Sequence, residues 1–232
     1  VGIDQLVSYL RELGVTTPLQ AYPSLTLGSA SLSPVAVTRM YSALMNDGRY
    51  QPLAAVSSIT THQGEVLYRR QKPEADVVFD KNVSYLTRYG LRGVVAEGTA
   101  SRLQRALAGQ VVGGKTGTTN DYRDSWFVAV DGEHVVTVWL GRDDNQPVGL
   151  TGSSGALKVV ADFYDYLPPL NMSLDVPEPL QMQNFHPTTG QRIPDDCNNG
   201  RKLPAEKIRL PEDITCEGTI REKSWWERLF GG

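Results

Sequence analysis

Three short β-type runs in the middle of the chain restrict its fold more than any other feature. They span 110–116, 125–130 and 135–141, and Asp131-Gly132 joins the last two with a turn signal typical of a hairpin. Strands joined by a hairpin are antiparallel. Because helical patterns precede and follow these runs, the sequence predicts an α+β fold in which helices flank an antiparallel sheet.

The helical patterns have recognisable ends. Ser33-Pro34 supplies a hydroxyl N-cap followed by proline at the first helical position, and Asp80 is another N-cap residue. Glycine follows three of the patterns, at Gly14, Gly48 and Gly98. The predicted helices span 3–13, 35–47, 81–97, 101–108 and 156–167, and two further strands at 55–61 and 65–70 surround the turn at 62–64.

The composition changes at Pro168-Pro169. Beyond this point prolines are frequent and hydrophobic periodicity is weak, and the only helical hint is the short stretch 225–230. We therefore predict one domain over 1–168 and a C-terminal extension over 169–232.

Charge and residue counts exclude several classes of function. The 232 residues contain 23 Lys and Arg against 26 Asp and Glu, a net charge of −3, so no basic excess indicates nucleic acid or an anionic membrane as partner. No apolar run reaches the length of a membrane span. The three histidines are scattered and the two cysteines form no CxxC pair, so we expect neither a metal site nor a cofactor.

The cysteines leave two readings open. Cys197 and Cys216 could form one disulfide in an oxidising compartment, or remain free thiols in a reducing one.

The segment 112–120 contains the residues best suited to ligand binding or catalysis. It offers small residues that let a ligand approach the backbone, a cation in Lys115, and the hydroxyls of Thr116 and Thr118, which suit a carboxylate. Exposed N–H groups of such a strand could also face a developing oxyanion.

Two other interpretations compete for this segment. Gly109-x-x-x-x-Gly114-Lys115-Thr116 matches the letters of a nucleotide-binding P-loop, but a helix precedes it and a strand follows it, the reverse of the P-loop context. The other interpretation is a glycine-rich strand with an incidental lysine.

A wider set of motifs decides between these interpretations. Lys115-Thr116-Gly117 on an edge strand, followed by a hairpin and a helix, resembles the third motif of the penicillin-recognising serine acyltransferases. Further motifs lie at 27–34, 97–100, 114–120, 126–127 and 141–147. Because these motifs occur in the family's order, the chain resembles the transpeptidase domain of class A penicillin-binding proteins over about 1–168. The tail resembles, more weakly, the C-terminal extension of the 1B type in Gram-negative bacteria.

The resemblance implies roles for single residues. Lys115 and Thr118 would be catalytic, through positive potential and through the Thr118 N–H as half of an oxyanion hole. The substrate's terminal carboxylate would bind the Thr116 and Thr118 hydroxyls. The implied substrate-binding set is Thr116, Gly117, Thr118, Thr119 and Asn120.

The family's other two motifs, Ser-x-x-Lys and Ser-x-Asn, do not occur in this sequence. By resemblance, the nucleophile would lie upstream of Val1 and the chain alone would be inactive. It would be the C-terminal portion of a penicillin-binding and serine β-lactamase-like fold. The alternative is a non-enzymatic module that only binds D-Ala-D-Ala ends.

The resemblance also implies a setting for the parent protein. It would be a bifunctional glycosyltransferase and transpeptidase, anchored upstream in the inner membrane with this domain in the periplasm. A periplasmic location favours the Cys197–Cys216 disulfide. The implied partners are peptidoglycan stem peptides, β-lactams, the upstream half of the domain and regulatory cell-envelope proteins, with no nucleic acid.

Other conspicuous residues receive structural interpretations. Trp126 and Phe127 are expected in the core, 121–124 as a solvated loop at the cleft edge, and 142–144 as a salt-bridged turn. We expect Trp225-Trp226 to pack on the domain.

Overall fold

The computed structural model describes residues 2–107, 109–208 and 214–219. The chain divides into two compact units, Val1–Leu174 and Asp175–Gly232. The first unit ends at Leu174, six residues after the predicted boundary at 168. The predicted helix at 225–230 and the pair Trp225-Trp226 lie outside the described residues.

The first unit holds five helices and seven strands among its described residues. The helices are α1 (Ile3–Glu12), α2 (Pro34–Met45), α3 (Lys81–Ala96), α4 (Ser101–Ala106) and α5 (Ala156–Tyr166). The strands are β1 (Arg49–Tyr50), β2 (Ser58–Thr60), β3 (Val66–Arg69), β4 (Asp76–Val77), β5 (Gly113–Thr118), β6 (Ser125–Val130) and β7 (Val135–Leu140). A short 3₁₀ turn at Pro23–Leu27 precedes α2, and a second lies at Asn120–Tyr122.

Both predicted helix caps are present. The Ser33 hydroxyl accepts a hydrogen bond from the Ala36 N–H at 3.2 Å, and an Asp80 carboxylate oxygen accepts one from the Asn82 N–H at 2.7 Å. These bonds satisfy N–H groups that the first turn of a helix leaves unpaired, which is why α2 and α3 begin where the sequence predicts.

The main sheet has the strand order β5-β6-β7 and is antiparallel throughout. The predicted α+β fold is therefore confirmed. Thr116 lies opposite Phe127, and Lys115 lies opposite Val128. Since directly opposed residues share a face of the sheet, Thr116 and Lys115 belong to opposite faces.

The larger hydrophobic cluster lies on the Phe127 face. It joins β6 to the helices through Leu103, Phe127 and Val160, all with no exposed surface. A Cβ on Gly114 would lie 2.7 Å from the Phe127 ring, so β5 packs closely on this core only because glycine stands there. This packing fixes the strand that carries the Lys-Thr-Gly sequence.

Several strands differ from their predicted extent. β2 and β3 are shorter than the predicted 55–61 and 65–70, and β5 begins at Gly113 and continues to Thr118. The antiparallel pair formed by β1 and β4 was not predicted, because two residues a strand give no periodic signal.

The second unit contains a hairpin of β8 (Leu180–Phe185) and β9 (Arg201–Glu206). We did not predict this hairpin from the sequence, because β8 buries amides in place of apolar side chains. Gln183 donates to the Ala205 carbonyl at 3.1 Å, and Asn184 donates to the Cys197 carbonyl at 2.8 Å. These bonds satisfy polar groups that are almost fully buried.

Cys197 and Cys216 are disulfide-bonded in this structure. Their Cα atoms lie 5.5 Å apart, and the two cysteines are separated by 19 positions in the sequence.

We predict that Cys216→Ser destabilises the second unit by about 3 kcal/mol, because a crosslink of this span restricts the unfolded chain. Thermal unfolding with and without reductant measures the loss, and reductant should not change the variant. Two titratable thiols in the denatured, unreduced protein would contradict the pairing.

Candidate active site

β5 presents an open edge to a ligand. Among the described residues its only neighbouring strand is β6. Beyond the end of β5, the Thr119 N–H donates to the Asp124 carbonyl at 3.3 Å. Hydrogen bonding alternates along an antiparallel pair, so the N–H groups of Thr116 and Thr118 face away from β6. The Thr118 N–H therefore points to the edge where an oxyanion could bind.

Two hydroxyls lie on one face of β5, and each has a hydrogen-bond partner. Thr118 Oγ1 accepts from the Gly152 N–H at 2.9 Å, which leaves the hydroxyl proton of Thr118 free to donate. Thr116 Oγ1 lies 2.9 Å from Thr99 Oγ1. Both predicted carboxylate-binding hydroxyls are therefore held on the same strand face.

Lys115 carries a positive charge on β5. Its side chain is exposed, and Nζ donates to the Thr116 carbonyl at 2.7 Å. It forms no ion pair with any residue that the structure describes. A cation without a carboxylate partner beside an open strand edge favours an anionic ligand.

Gly152 packs directly on β5 and was missed by the sequence analysis. A Cβ there would come within 2.5 Å of the Trp126 carbonyl oxygen and 2.7 Å of the Gly117 carbonyl oxygen. Only glycine allows the segment before α5 to approach closely enough for its N–H to reach Thr118. A glycine before a helix gives no sequence signal of this contact.

The predicted substrate-binding residues Thr119 and Asn120 lie in the turn after β5. The Thr119 hydroxyl donates to an Asp124 carboxylate oxygen at 2.9 Å and accepts from the Asp124 N–H at 2.8 Å, while the Trp139 indole N–H donates to the other Asp124 oxygen at 2.8 Å. The Thr119 hydroxyl therefore closes the turn. Asn120 is exposed, and Gly117 lies in the strand between the two threonines.

The remaining conspicuous residues have structural roles. Phe127 is fully buried, as predicted, whereas Trp126 is only half-buried and packs against Trp139 with ring centroids 6.2 Å apart. Arg142 and Asp144 form the predicted salt-bridged turn at 2.7 Å, and hydrogen bonding to Arg142 lowers the pKa of Asp144. In the loop at 121–124, Asp121 and Tyr122 are exposed, whereas Arg123 and Asp124 are partly buried.

The P-loop interpretation is not supported by the fold. After Lys115-Thr116 the chain continues as strand and then as a 3₁₀ turn, whereas a P-loop opens a helix at this point.

One further cavity in the described part of the chain lies away from β5. A cavity of about 300 Å³ at the end of α2, lined by Ser42, Arg49 and Arg70 among others, contains none of the predicted site residues. Within the described ranges, no group of three His, Cys, Asp or Glu could hold a metal ion. Nor is any helix in these ranges long and apolar enough to cross a membrane.

Comparison with known proteins identifies the family. Residues 12–164 match the penicillin binding protein transpeptidase domain. The chain belongs to the penicillin-binding protein transpeptidase family. It is 42% identical to penicillin-binding protein 1B of Vibrio cholerae over 99% of this chain and 29% of that protein. The predicted family is therefore confirmed.

Solved structures of penicillin-binding proteins share the fold. Penicillin-binding protein 1A from Haemophilus influenzae superposes with a TM-score of 0.78 at 22% identity, over 90% of this chain and 38% of that one. The imipenem acyl-enzyme complex of penicillin-binding protein A from M. tuberculosis gives a TM-score of 0.53 at 17% identity, over 69% of this chain and 43% of that one. The chain spans less than a third of the Vibrio cholerae relative, whose length is covered to 29%.

Proposed function

We propose that this chain forms the Lys-Thr-Gly wall of the acyl-transfer site in a peptidoglycan DD-transpeptidase. The observation that carries the proposal is the open edge of β5, where Lys115, Thr116 and Thr118 present one cation, two hydroxyls and outward N–H groups. Membership of the transpeptidase family supports the same reaction class.

Substrate binding follows from the donors on β5. The terminal carboxylate of a D-Ala-D-Ala stem peptide accepts hydrogen bonds from the hydroxyls of Thr116 and Thr118. Lys115 adds positive potential at the same end of the strand. Charge-assisted hydrogen bonds of this kind are about twice as strong as neutral ones, so they favour an acidic peptide end over an amide.

The reaction consists of two acyl transfers. A serine oxygen bonds to the carbonyl carbon between the two D-alanines, the C–N bond breaks, and the terminal D-alanine leaves with a proton on its amine. An amine of a neighbouring stem peptide then attacks the ester and regenerates the serine hydroxyl. The Thr118 N–H supplies half of the oxyanion hole in both steps, and the N–H of the serine supplies the other half.

β-Lactams fit the same arrangement because they carry an acylating amide beside a carboxylate. The M. tuberculosis relative has been solved as an imipenem acyl-enzyme complex. We therefore propose that β-lactams acylate the parent of this chain at the same serine.

The nucleophile belongs to a part of the parent protein outside these 232 residues. Neither Ser-x-x-Lys nor Ser-x-Asn occurs in the sequence. We propose that both motifs precede residue 1, so that the isolated chain is inactive. The parent is then a bifunctional glycosyltransferase and transpeptidase, anchored in the inner membrane with this domain in the periplasm.

The test uses the full-length parent protein and a stem pentapeptide that ends in D-Ala-D-Ala. The proposal expects release of D-alanine and formation of a cross-linked product when an acceptor amine is added. A full-length protein that binds the pentapeptide but releases no D-alanine would contradict it, and would favour a module that only binds peptide ends.

A further inference from the structure

A third hydroxyl, that of Thr99, lies beside Thr116 of β5. Thr99 lies in the turn between α3 and α4, with its Oγ1 at 2.9 Å from Thr116 Oγ1. Thr99 is exposed, and Thr116 is partly exposed. The pair therefore lies at the surface, and its Thr116 belongs to the strand that the proposed function assigns to carboxylate binding.

The turn holds Thr99 in place. The N–H groups of Gly98 and Ala100 both donate to the Val94 carbonyl at 3.1 Å, and Ala100 is fully buried in the core. A Cβ on Gly98 would lie 2.8 Å from that same carbonyl oxygen, so glycine is required for the close turn. The backbone at Thr99 is therefore held in place by the turn and by the core.

We propose that Thr99 is a positioning residue that commits the Thr116 hydroxyl to donating toward the substrate carboxylate. The inference rests on the proposed function of this site. A hydroxyl has one proton, and Thr116 can give it to the carboxylate only when Thr99 donates to Thr116 Oγ1. A bound carboxylate accepts hydrogen bonds and has none to donate, so it selects this direction.

The arrangement repeats at Thr118. There the Gly152 N–H donates to the hydroxyl oxygen and leaves the hydroxyl proton free. Each carboxylate-binding threonine thus accepts one hydrogen bond from the protein and keeps one proton for the ligand. Hydrogen bonds in such a chain polarise one another, so the Thr99 hydroxyl strengthens the donor without touching the substrate.

The test compares a carboxylate ligand with its ester in the full-length protein. Benzylpenicillin and its methyl ester differ only at the group that Thr116 binds, and the second-order acylation rate of each is measured. Thr99→Val removes the hydroxyl at nearly constant shape, and Thr99→Ser keeps it. Thr87→Val on α3 is the matched control, since the Thr87 hydroxyl donates only to the Val83 carbonyl of its own helix.

We expect Thr99→Val to lower the rate with benzylpenicillin about tenfold, the effect of one net hydrogen bond, and to leave the rate with the ester unchanged. Thr99→Ser should restore the wild-type preference for the acid, and Thr87→Val should change neither rate. Equal loss with acid and ester would overturn the inference, since it would show a purely structural role for Thr99. An unchanged rate with benzylpenicillin would overturn it as well.

Failure of the proposed function gives a different pattern. A wild-type protein that reacts equally with benzylpenicillin and its methyl ester would contradict carboxylate binding by Thr116. The role proposed for Thr99 would then be contradicted as well. A wild-type protein that is not acylated at all would contradict the transpeptidase proposal itself.

Discussion

Lys115→Ala in the full-length protein is expected to reduce acylation by a fluorescent penicillin about 100-fold or more. Lys115 is exposed at the open edge of β5 and has no ion-pair partner among the described residues, so its charge is available to the ligand carboxylate. The substitution also removes the bond from Nζ to the Thr116 carbonyl. Loss of one preorganised group that stabilises developing charge typically costs about 10²–10³ in rate.

Lys158→Ala is the matched control for charge. Lys158 is an exposed lysine on α5 that, like Lys115, forms no ion pair with a described residue, and its removal changes the net charge equally. We expect labelling within about twofold of the wild type. Comparable labelling of Lys115→Ala and Lys158→Ala would show that Lys115 contributes only net charge.

Gly152→Ala adds a single methyl group, and we expect it to destabilise the protein more than any other added methyl group near the site. The added Cβ would meet backbone atoms of Gly117 and Trp126 at 2.5–2.9 Å, and backbone cannot swing aside as a side chain can. Overpacking of this kind costs about 1–3 kcal/mol. Because about 1 kcal/mol shifts the midpoint of a domain this size by about 2–4 °C, thermal unfolding should detect it.

Gly152→Ala should also lower the rate of acylation. The added methyl group pushes the segment before α5 away from β5, so the Gly152 N–H no longer reaches Thr118 Oγ1. The control is Gly90→Ala on α3, where an added Cβ meets nothing within 4 Å. That change should leave labelling unaltered and leave stability equal or slightly higher, since alanine favours a helix more than glycine does. A Gly152→Ala protein with wild-type melting and labelling would contradict the close packing described for this segment.

The features that sequence predicted are those that leave a local signal. The caps at Ser33 and Asp80, the hairpin at Asp131-Gly132 and the amphipathic helices each depend on neighbours within a few residues. Asp131 illustrates why: its carboxylate accepts hydrogen bonds from the N–H groups of Glu133 and His134, so the turn is specified within four residues.

The features that sequence could not predict depend on contacts distant in the chain. Thr99 meets Thr116 across 17 residues, and the Gly152 N–H meets Thr118 across 34. Threonine and glycine are common residue types, so neither contact stands out in a single sequence. The buried amides of β8 likewise replace the apolar alternation from which a strand is predicted.

Thr119 illustrates a related point. Its role in substrate binding stays a prediction, and the structure adds that its hydroxyl bonds to Asp124 and closes the turn. A motif gives the order of residues, while the strand register decides which side chains share a face. In β5 this register separates Lys115 from Thr116 and Thr118.

We propose that this chain supplies the carboxylate-binding wall of a site whose nucleophile lies elsewhere in the parent protein. The decisive test is incubation with a fluorescent penicillin, followed by denaturing electrophoresis. We expect strong covalent labelling of the full-length protein and none of the isolated 232-residue chain. Covalent labelling of the isolated chain would contradict it, because the nucleophile would then have to lie within these residues.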